Sequence, residues 1–479
     1  MHAMTTTAAH VERWQRASDE ARRGLEVSDA GLAALPAEVR TISWPADDEL
    51  LAGPLGAHVA GVIVSETDAV DALAKLARSK RGLSSLAFHA SERVTEAMHK
   101  LDAFASLEHL DLTGEGVDDE PELVEALATA ELPSLRRLAL AWAYPPVALT
   151  TTSYWSRLES LELRLFEADA LGLVRLLAGE DEARRSGPRP TRLSLEVSQA
   201  LGGGPLDVSR ALAELLDVRP DALARLVELE GATLTPSLPS WLGAVPTLRS
   251  LQVQALAPAE ARPALGALSR TALETLRLAG PVGDEDAIAL HRASPSLRGL
   301  EAHDAALGVR TAKAIGARGP GLETLTLSFQ PLGTEGLAAL GPALDRVQRL
   351  MLHHTGMTGA ALASWRGHVA SLEELTIHSN AALGPSGAAA LASLELPSLR
   401  RLSVFACGVG EKGALALAAA PWLTHLAFLD LDLARLDRDV VPYGAHALAT
   451  SPHASPAIRA QFAAYAAAPP RSVWRRLFG

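Results

Sequence analysis

The sequence predicts an α/β solenoid in which short parallel strands form a concave face and helices form the convex face. The main observation is a line with apolar residues at relative positions 1, 4 and 6, which recurs from Leu248 to Ile377 at steps of 25, 24, 25, 25 and 25 residues. The second observation is a Gly followed by an Ala- and Leu-rich stretch in the latter half of each period. Side chains alternate along a strand but recur every three to four residues along a helix, so the two halves predict a strand and a helix.

The six regular strand lines share this spacing and begin at Leu248, Leu273, Leu297, Leu322, Val347 and Leu372. The helical halves begin at Gly283, Gly308, Gly333, Gly384 and Gly410. We expect Asp284, Thr334 and Ser386 to cap these helices, and small alanines to let neighbouring helices pack closely while the leucines face the strands. The last line continues to Asn380 at position 9, where such repeats prefer Asn or Cys.

These motifs resemble the leucine-rich repeats of the ribonuclease-inhibitor subfamily. The resemblance implies strand-loop-helix units that stack into a horseshoe, a leucine-rich repeat solenoid. It covers most of the chain, and it is specific for architecture rather than for an activity. The abundance of Ala, Gly and Pro, together with the preference for arginine over lysine, favours a bacterial origin.

The chain divides into four predicted regions. Residues 1–24 are expected to form an N-terminal capping helix, because the first repeat of a solenoid exposes an apolar edge. Residues 25–435 form the solenoid, and residues 436–468 form a C-terminal cap that includes an Ala-rich helix from Pro456. The basic, aromatic tail over 469–479 is either a frayed or docked terminus, or a second contact through Trp474–Phe478 with a membrane surface or a partner protein.

Outside the regular centre, the strand template fits less evenly. Further strand lines begin at Val39, Val59, Leu83, Leu107, Leu135, Leu158, Pro190, Leu399 and Leu423, after a short first repeat near Leu25. An apolar helix is predicted from Val208 to Leu216, and the longer spacings are expected in loops or helices rather than in strands. Around Leu223 to Leu234 two strand registers are possible, and the sequence does not choose between them.

Composition limits the classes of function. The 479 residues carry a net charge of −12, which argues against binding a nucleic-acid backbone. The single cysteine, Cys407, rules out an internal disulfide framework. The N-terminus lacks a signal-peptide pattern, and no stretch approaches the roughly 20 apolar residues of a membrane span. A cytoplasmic protein without an integral membrane segment is therefore expected.

Motifs for catalysis and cofactor binding are absent from the sequence. It contains no Walker-type phosphate loop, no His-Glu-x-x-His zinc motif and no Gly-x-Ser-x-Gly elbow. Cys407 occupies position 9 of its line, so a structural thiol is expected rather than a nucleophile. The sequence therefore predicts neither an enzyme nor a bound cofactor or metal.

The predicted binding residues are those that point away from the core. When positions 4 and 6 face inward, positions 3, 5 and 7, with position 8 at the strand end, face the concave surface. Ten such side chains are predicted to contact a protein partner: His303, Asp304, Phe329, Arg349, Met351, His353, Glu374, His378, Arg401 and Phe405. Phe329, Met351 and Phe405 would serve as apolar anchors.

Two of these histidines, His353 and His378, would lie on neighbouring strands about 4.8 Å apart, with His303 two strands away. Imidazoles at this spacing could share a metal ion or make binding depend on pH, and the sequence leaves both alternatives open. A second, less coherent patch on the earlier strands would contain His109, Asp111, Arg137, Trp142, Glu162 and Arg192.

The sequence favours a non-catalytic protein-binding module or scaffold that engages its partner through the concave face. The alternative is a regulator of an enzyme, as the Ran GTPase-activating proteins and the ribonuclease inhibitors with this repeat type are. That alternative depends on fold analogy, and the inhibitors are rich in cysteine whereas this chain has one. A hydrolase or metal enzyme is the third hypothesis.

Overall fold

The computed structural model describes residues 41–44, 61–65, 69–79, 82–89, 93–113, 121–142, 144–179, 187–200, 206–235, 237–255, 272–431 and 443–463. They form two compact units. One contains the described residues up to Ala232 together with Ala244–Leu248, and the other contains Thr233–Gly243 and the described residues from Arg249 onward. The predicted capping helix over 1–24, the short first repeat near Leu25 and the tail over 469–479 lie outside the described residues.

The first unit alternates strands with helical segments. Its strands are β1 (Thr41–Trp44), β2 (Gly61–Ser65), β3 (Ser85–His89), β4 (His109–Leu112), β5 (Arg137–Trp142), β6 (Ser160–Ala168), β7 (Arg192–Ala200) and β8 (Glu228–Thr233). Its α-helices are α1 (Ala69–Ser79), α2 (Val94–Met98), α3 (Pro121–Thr129), α4 (Ala170–Ala178) and α5 (Val208–Val218). Each strand pairs in parallel with the next one in the chain.

The second unit has the same organisation. Its strands are β9 (Ser250–Gln254), β10 (Thr275–Ala279), β11 (Gly299–His303), β12 (Thr324–Ser328), β13 (Arg349–His353), β14 (Glu374–His378), β15 (Arg401–Phe405) and β16 (Phe428–Leu431). Its α-helices are α6 (Leu238–Leu242), α7 (Asp284–Ala293), α8 (Val309–Arg318), α9 (Gly333–Ala339), α10 (Gly359–Ser364), α11 (Gly384–Ala392), α12 (Gly410–Ala418), α13 (Tyr443–Thr450) and α14 (Pro456–Gln461). The predicted α/β solenoid is confirmed in each unit. Within the described ranges, every helix is too short or too polar to cross a lipid bilayer.

A ladder of leucines forms the core of the second unit. The position-4 side chains are aligned by the parallel register and are at most 3% exposed: Leu251, Leu276, Leu300, Leu325, Leu350, Leu375, Leu402 and Leu429. Burying one such side chain contributes about 2 kcal/mol. Because side chains alternate along a strand, this ladder turns positions 3, 5 and 7 to the opposite face of the sheet.

The structure settles one register and corrects another. Leu229 pairs with Leu193, which selects the line Leu226-x-x-Leu229 in the segment where the sequence allowed two registers. The line predicted to start at Leu423 was wrong, because Leu429 rather than Leu426 pairs with Leu402. A 3₁₀ turn over Pro421–His425 delays the start of the strand. Phe428 therefore lies on the outer face, whereas the sequence placed it in the core.

The predicted helix caps were wrong. Helices α7, α9 and α11 have no side-chain cap. Asp284 caps the following helix instead, because its Oδ1 accepts hydrogen bonds from the backbone N–H of Gly308 (2.7 Å) and from the N–H (3.1 Å) and hydroxyl (2.5 Å) of Thr311. Burial alone would raise the pKa of Asp284, but these hydrogen bonds and the nearby Arg310 lower it overall. The side chain thus links two successive repeats by hydrogen bonds.

Neighbouring helices pack closely, as predicted, but at glycines as well as at the alanines from which the prediction was made. A Cβ added to Gly359 would lie 3.1 Å from the Cα of Gly387 in the next helix. A Cβ on Gly444 would lie 2.4 Å from the Cβ of Ala414. A larger side chain at Gly359 would push α10 away from α11, and one at Gly444 would push α13 away from α12.

Buried hydrogen-bonding side chains occupy position 9. The amide oxygen of Asn380 accepts from the backbone N–H groups of Thr355 (2.9 Å) and Met357 (2.9 Å). Its Nδ2 donates to the carbonyls of Leu352 (3.1 Å) and His378 (2.7 Å). The side chain therefore gives partners to two buried loop N–H groups that would otherwise be unpaired. It also adds a hydrogen bond to two carbonyls, of which that of His378 accepts from the N–H of His354 as well (3.0 Å).

Two further side chains make equivalent contacts at position 9. Gln330 accepts from the N–H of Leu307 (2.8 Å) and donates to the carbonyl of Ser328 (2.7 Å). Cys407 is buried and reduced, and its Sγ donates to the carbonyl of Ile377 at 3.1 Å. The predicted structural thiol is confirmed, whereas the sequence had not singled out Gln330.

Replacing Asn380 by alanine should lower the free energy of unfolding by about 3 kcal/mol, because two buried backbone N–H groups lose their partner. Urea unfolding followed by circular dichroism measures the change. Gln254→Ala, which removes an exposed amide on β9, is the matched control and should change stability little. Equal stability of the two variants would contradict the assigned role.

An uncharged histidine is buried on α7. His291 is 4% exposed, and among the described residues neither of its ring nitrogens has a hydrogen-bond partner. The guanidinium of Arg318 donates to the His291 carbonyl at 2.7 Å. Burial, followed by the positive charges of Arg318 and Arg292, lowers the pKa of His291 to about 4. The fold therefore holds this imidazole neutral.

Acid should destabilise the fold through His291. In the unfolded chain the imidazole takes up a proton near its ordinary pKa, about 6.5, whereas the folded protein resists protonation until about pH 4. The free energy of unfolding should therefore fall by about 3 kcal/mol from this group as the pH drops from 6.5 to 4. In unfolding experiments at several pH values, His291→Leu should remove this part of the pH dependence of the free energy of unfolding. The control His425→Leu, at an exposed position, should leave the pH dependence unchanged.

Candidate functional site

The strand face is the side of β10–β16 formed by positions 3, 5 and 7, opposite the buried leucine ladder. All ten predicted binding residues lie on it or at its edge. Six of them are exposed, namely His303, Asp304, Phe329, Arg349, Met351 and Phe405. The other four, His353, Glu374, His378 and Arg401, are half-buried. The regular period was sufficient to predict which face each of them would occupy.

Each of five strands ends in a residue with left-handed backbone conformation. These position-8 residues are Asp304 (φ 47°), Phe329 (φ 56°), His354 (φ 54°), Ser379 (φ 53°) and Ala406 (φ 54°). The conformation costs about 1 kcal/mol or more for a residue other than glycine. It lets the N–H of Phe329 donate to the carbonyl of His353 (2.8 Å) while the Phe329 ring stays on the strand face. Side chains at positions 7 and 8 of adjacent strands thereby meet.

These contacts create the aromatic row, which we define as His303, Phe329, His353, His354, His378 and Phe405. Ring centroids are 5.2 Å apart for His303 and Phe329, 4.6 Å for Phe329 and His353, and 5.5 Å for Phe329 and His354. The row continues from His353 to His378 at 6.4 Å and from His378 to Phe405 at 5.9 Å. The predicted proximity of His353 and His378 is confirmed by their direct pairing in the sheet. His354, which was not among the predicted contacts, belongs to the row as well.

The exposed apolar side chains of the second unit are concentrated here. Its described residues include three large hydrophobic side chains that are exposed, namely Phe329 (41%), Met351 (42%) and Phe405 (39%). Phe329 directly follows β12, Met351 lies on β13, and Phe405 lies on β15. All three predicted anchors therefore lie on one face within four successive strands.

Charged residues occupy the opposite end of the same strands. Arg349, Glu374 and Arg401 are aligned at position 3, and Arg401 lies 3.5 Å from Glu374. The Arg401 guanidinium also lies over the ring of Phe428, 5.2 Å from its centroid. Since position 3 is four residues from position 7, these charges are separate from the aromatic row. The ten predicted residues thus comprise five rings of the aromatic row with Asp304 and Met351 beside it, and three charged residues at the far end of the strands.

A hydrogen-bonded chain that the sequence did not predict ends at His378. The hydroxyl of Ser403 donates to Oδ2 of Asp430 at 2.9 Å, and its Oγ lies 2.8 Å from Nε2 of His378. An ionised carboxylate can only accept, so the serine proton points to Asp430 and His378 donates to Ser403 from Nε2. This direction is opposite to that of a serine activated by a histidine base. The chain therefore holds His378 in place and does not form a nucleophile.

Both central histidines have a lowered pKa. Burial lowers the pKa of His353, and positive charge on His354 or His303 lowers it further. Burial also lowers the pKa of His378, with Asp430 acting to raise it and His353 acting to lower it. At neutral pH the aromatic row is accordingly uncharged at its centre. The described side chains contain no group of three or more His, Cys, Asp or Glu arranged to hold a metal ion.

A small cavity adjoins the aromatic row. It has a volume of about 210 Å³ and is lined by His303 together with the small side chains of Ala279, Ala302 and Ser328. An ion pair between Arg277 and Glu301 (3.1 Å) forms part of its rim. The cavity extends the strand face beyond the row with space for one side chain.

The second predicted patch lies on the first unit, and one of its six predicted residues is buried. A cleft of about 450 Å³ is lined by five of its predicted residues, His109, Asp111, Arg137, Glu162 and Arg192. The prediction for Trp142 was wrong, since this side chain is only 6% exposed. Here β5 continues through position 8 and pairs Trp142 with Leu165, so the indole faces inward. In the second unit the left-handed turn directs position 8 outward instead.

The period of about 25 residues, the parallel strands and the position-9 hydrogen bonds together define a leucine-rich repeat protein. No protein-family model matches the chain, and no curated protein matches it. Among solved structures, the TLR13–ssRNA13 complex is similar at 16% identity over 80% of this chain and 57% of that one, with a TM-score of 0.39. The leucine-rich repeat-containing protein LegL7 from Legionella pneumophila is similar at 17% identity over 55% of this chain and 90% of that one, with a TM-score of 0.35. The chain thus spans little more than half of the TLR13 chain, and its class follows from its own repeats.

Replacing Asp430 by asparagine should lower the pKa of His378 further, because the negative charge that favours its protonation is lost. The asparagine oxygen can still accept from Ser403, so the ring should stay in place. An NMR titration of the His378 ring measures the shift. Asp345→Asn, beside His368 (2.8 Å), is the control and should leave His378 unchanged. A raised or unaltered pKa in the Asp430 variant would refute the assigned hydrogen-bonded chain.

Proposed function

We propose that the chain is a non-catalytic binding module that engages a protein partner through the strand face of its second unit. The observation that carries the proposal is the concentration of Phe329, Met351 and Phe405 on this face, in contact with or beside the histidines. Apolar side chains that are exposed together usually mark an interaction surface. Aromatic and methionine side chains are also enriched at the centres of protein interfaces.

The rings of this surface contact one another before any partner is bound. Each member of the aromatic row contacts at least one other ring at a centroid distance of 6.4 Å or less. Side chains that are fixed before binding lose little conformational entropy when the partner arrives. The row can therefore act as a set of anchors, with Arg349, Glu374 and Arg401 as a polar rim.

A protein ligand also fits the remaining predictions. The net charge of −12 opposes a nucleic-acid ligand, although one similar structure is described as a complex with ssRNA. The serine beside His378 directs its proton to Asp430, which supports a non-enzymatic role. An N-terminal cap over 1–24, a C-terminal cap over 436–468, a second contact through Trp474–Phe478 and cytoplasmic location remain proposals, as does the alternative of an enzyme regulator.

Affinity capture from native cell extract with the tagged full-length chain tests the site. The triple variant Phe329→Ala, Met351→Ala, Phe405→Ala should weaken capture of the main bound protein by about 100-fold, since interface anchors each contribute on the order of 1–2 kcal/mol. The variant should remain folded, because all three side chains are partly exposed and lie outside the leucine ladder. Urea unfolding checks this.

The matched control removes three exposed hydrophobic side chains from the first unit, Tyr144→Ala, Phe166→Ala and Val227→Ala. This variant should capture the same protein at the wild-type level. Unchanged capture by the strand-face variant, or equal loss in both variants, would refute the proposed surface. RNA recovered in place of protein, and lost in the same variant, would refute the proposed class of partner.

A further inference from the structure

We infer that the aromatic row binds an apolar, uncharged segment of the partner while its histidines are neutral, so that binding weakens in acid. The inference rests on the proposed function of the strand face, and it adds the chemistry of the bound segment and its control by pH. It follows from the geometry of the row, in which the apolar anchors and the titrating rings are in direct contact.

An apolar segment cannot cover the anchors without covering the histidines. The ring of Phe329 lies 4.6 Å from that of His353, and the ring of Phe405 lies 5.9 Å from that of His378. His353 and His378 are already half-buried in the free protein. A partner that excludes water from Phe329 and Phe405 therefore removes most of the remaining solvent from both imidazoles. Loss of solvent disfavours the charged form of each ring.

The histidines also oppose one another's protonation. His303, His353 and His354 all contact the ring of Phe329, and His353 continues to His378 at 6.4 Å. A proton on one ring raises the free energy of placing a second proton beside it. The lowered pKa of His353 and of His378 in the free protein agrees with this arrangement.

The surrounding charges do not cancel this effect. On the side of His378, Asp430 reaches the ring through Ser403 and favours its protonation, but burial outweighs it. On the side of His353, the neighbouring charged groups are His303 and His354. Four other charged side chains lie on the strand face near the two rings. Asp304 is next to His303. Arg349, Glu374 and Arg401 lie at position 3, four residues away from the row.

The same charges indicate an uncharged segment. An acidic side chain over the row would meet neutral imidazoles at neutral pH, and Arg401 already lies 3.5 Å from Glu374. The adjoining cavity of about 210 Å³, with its small side chains, has room for one further uncharged side chain. Apolar contact with the rings is therefore the interaction that the row provides.

Between the pKa of the free histidines and that of the bound ones, binding that requires two neutral rings weakens by as much as about tenfold per pH unit for each ring. The effect depends on the row alone and can be measured with simple probes. Retention of the full-length chain on phenyl-agarose at constant ammonium sulfate measures apolar contact. Retention on carboxymethyl-agarose reports an acidic ligand. Each matrix is used at pH 7.5 and at pH 5.5.

On phenyl-agarose the wild-type chain should be retained more weakly at pH 5.5 than at pH 7.5. The variant His353→Gln, His378→Gln cannot be protonated at these positions and should lose most of that difference. His99→Gln, His425→Gln removes two exposed histidines outside the row and should behave as the wild type. This control accounts for protonation of the rest of the surface.

The outcomes separate the inference from the proposed function. If Phe329→Ala, Met351→Ala, Phe405→Ala leaves retention on phenyl-agarose at pH 7.5 unchanged, the proposed surface itself is refuted. If that variant is not retained but the wild type and His353→Gln, His378→Gln share one pH dependence, only the inference is overturned. It is also overturned if acid strengthens retention on carboxymethyl-agarose through the same two histidines, because the segment would then be acidic.

Discussion

The burial of one leucine per strand at position 4 is the constraint on which the second unit depends. Leu325 pairs with Leu350, and Leu350 pairs with Leu375, so each strand has to align with the next one without a shift. A shift by one residue would expose every buried side chain, at a cost of about 2 kcal/mol for each leucine. The leucine ladder, rather than any ligand, therefore determines which residues lie on the strand face.

Position 8 converts this regular sheet into a surface with contacts between strands. A strand that continued through position 8 would bury that side chain, as β5 buries Trp142. The left-handed conformation of Phe329 and His354 keeps both rings outside. The hydrogen bond from Phe329 to the carbonyl of His353 helps to offset the conformational cost. Backbone geometry at position 8 thus adds Phe329 and His354 to the rings that position 7 already places on the strand face.

Polar side chains support the row from beneath and from the side. Asn380 satisfies the loop that follows β13 and also donates to the carbonyl of His378. Ser403 and Asp430 orient the imidazole of the same histidine. The result is a mostly apolar surface of contacting rings, whose two central histidines, His353 and His378, are uncharged at neutral pH. Such a surface suits contact with another protein better than it suits chemistry on a small molecule.

The sequence by itself determined the repeat, the buried ladder and the outward positions, because these follow from local periodicity of 2 along a strand and about 25 between strands. It therefore placed His353 beside His378 and Phe329, Met351 and Phe405 on one face. It failed where a residue's role depends on the next repeat: Asp284 caps the helix that follows its own, and Asp430 reaches His378 across β15. It also failed at Phe428 and Trp142, where a turn or a longer strand changes which face a side chain occupies. Only the tertiary structure decides these cases, since they are set by contacts between residues roughly one period or more apart.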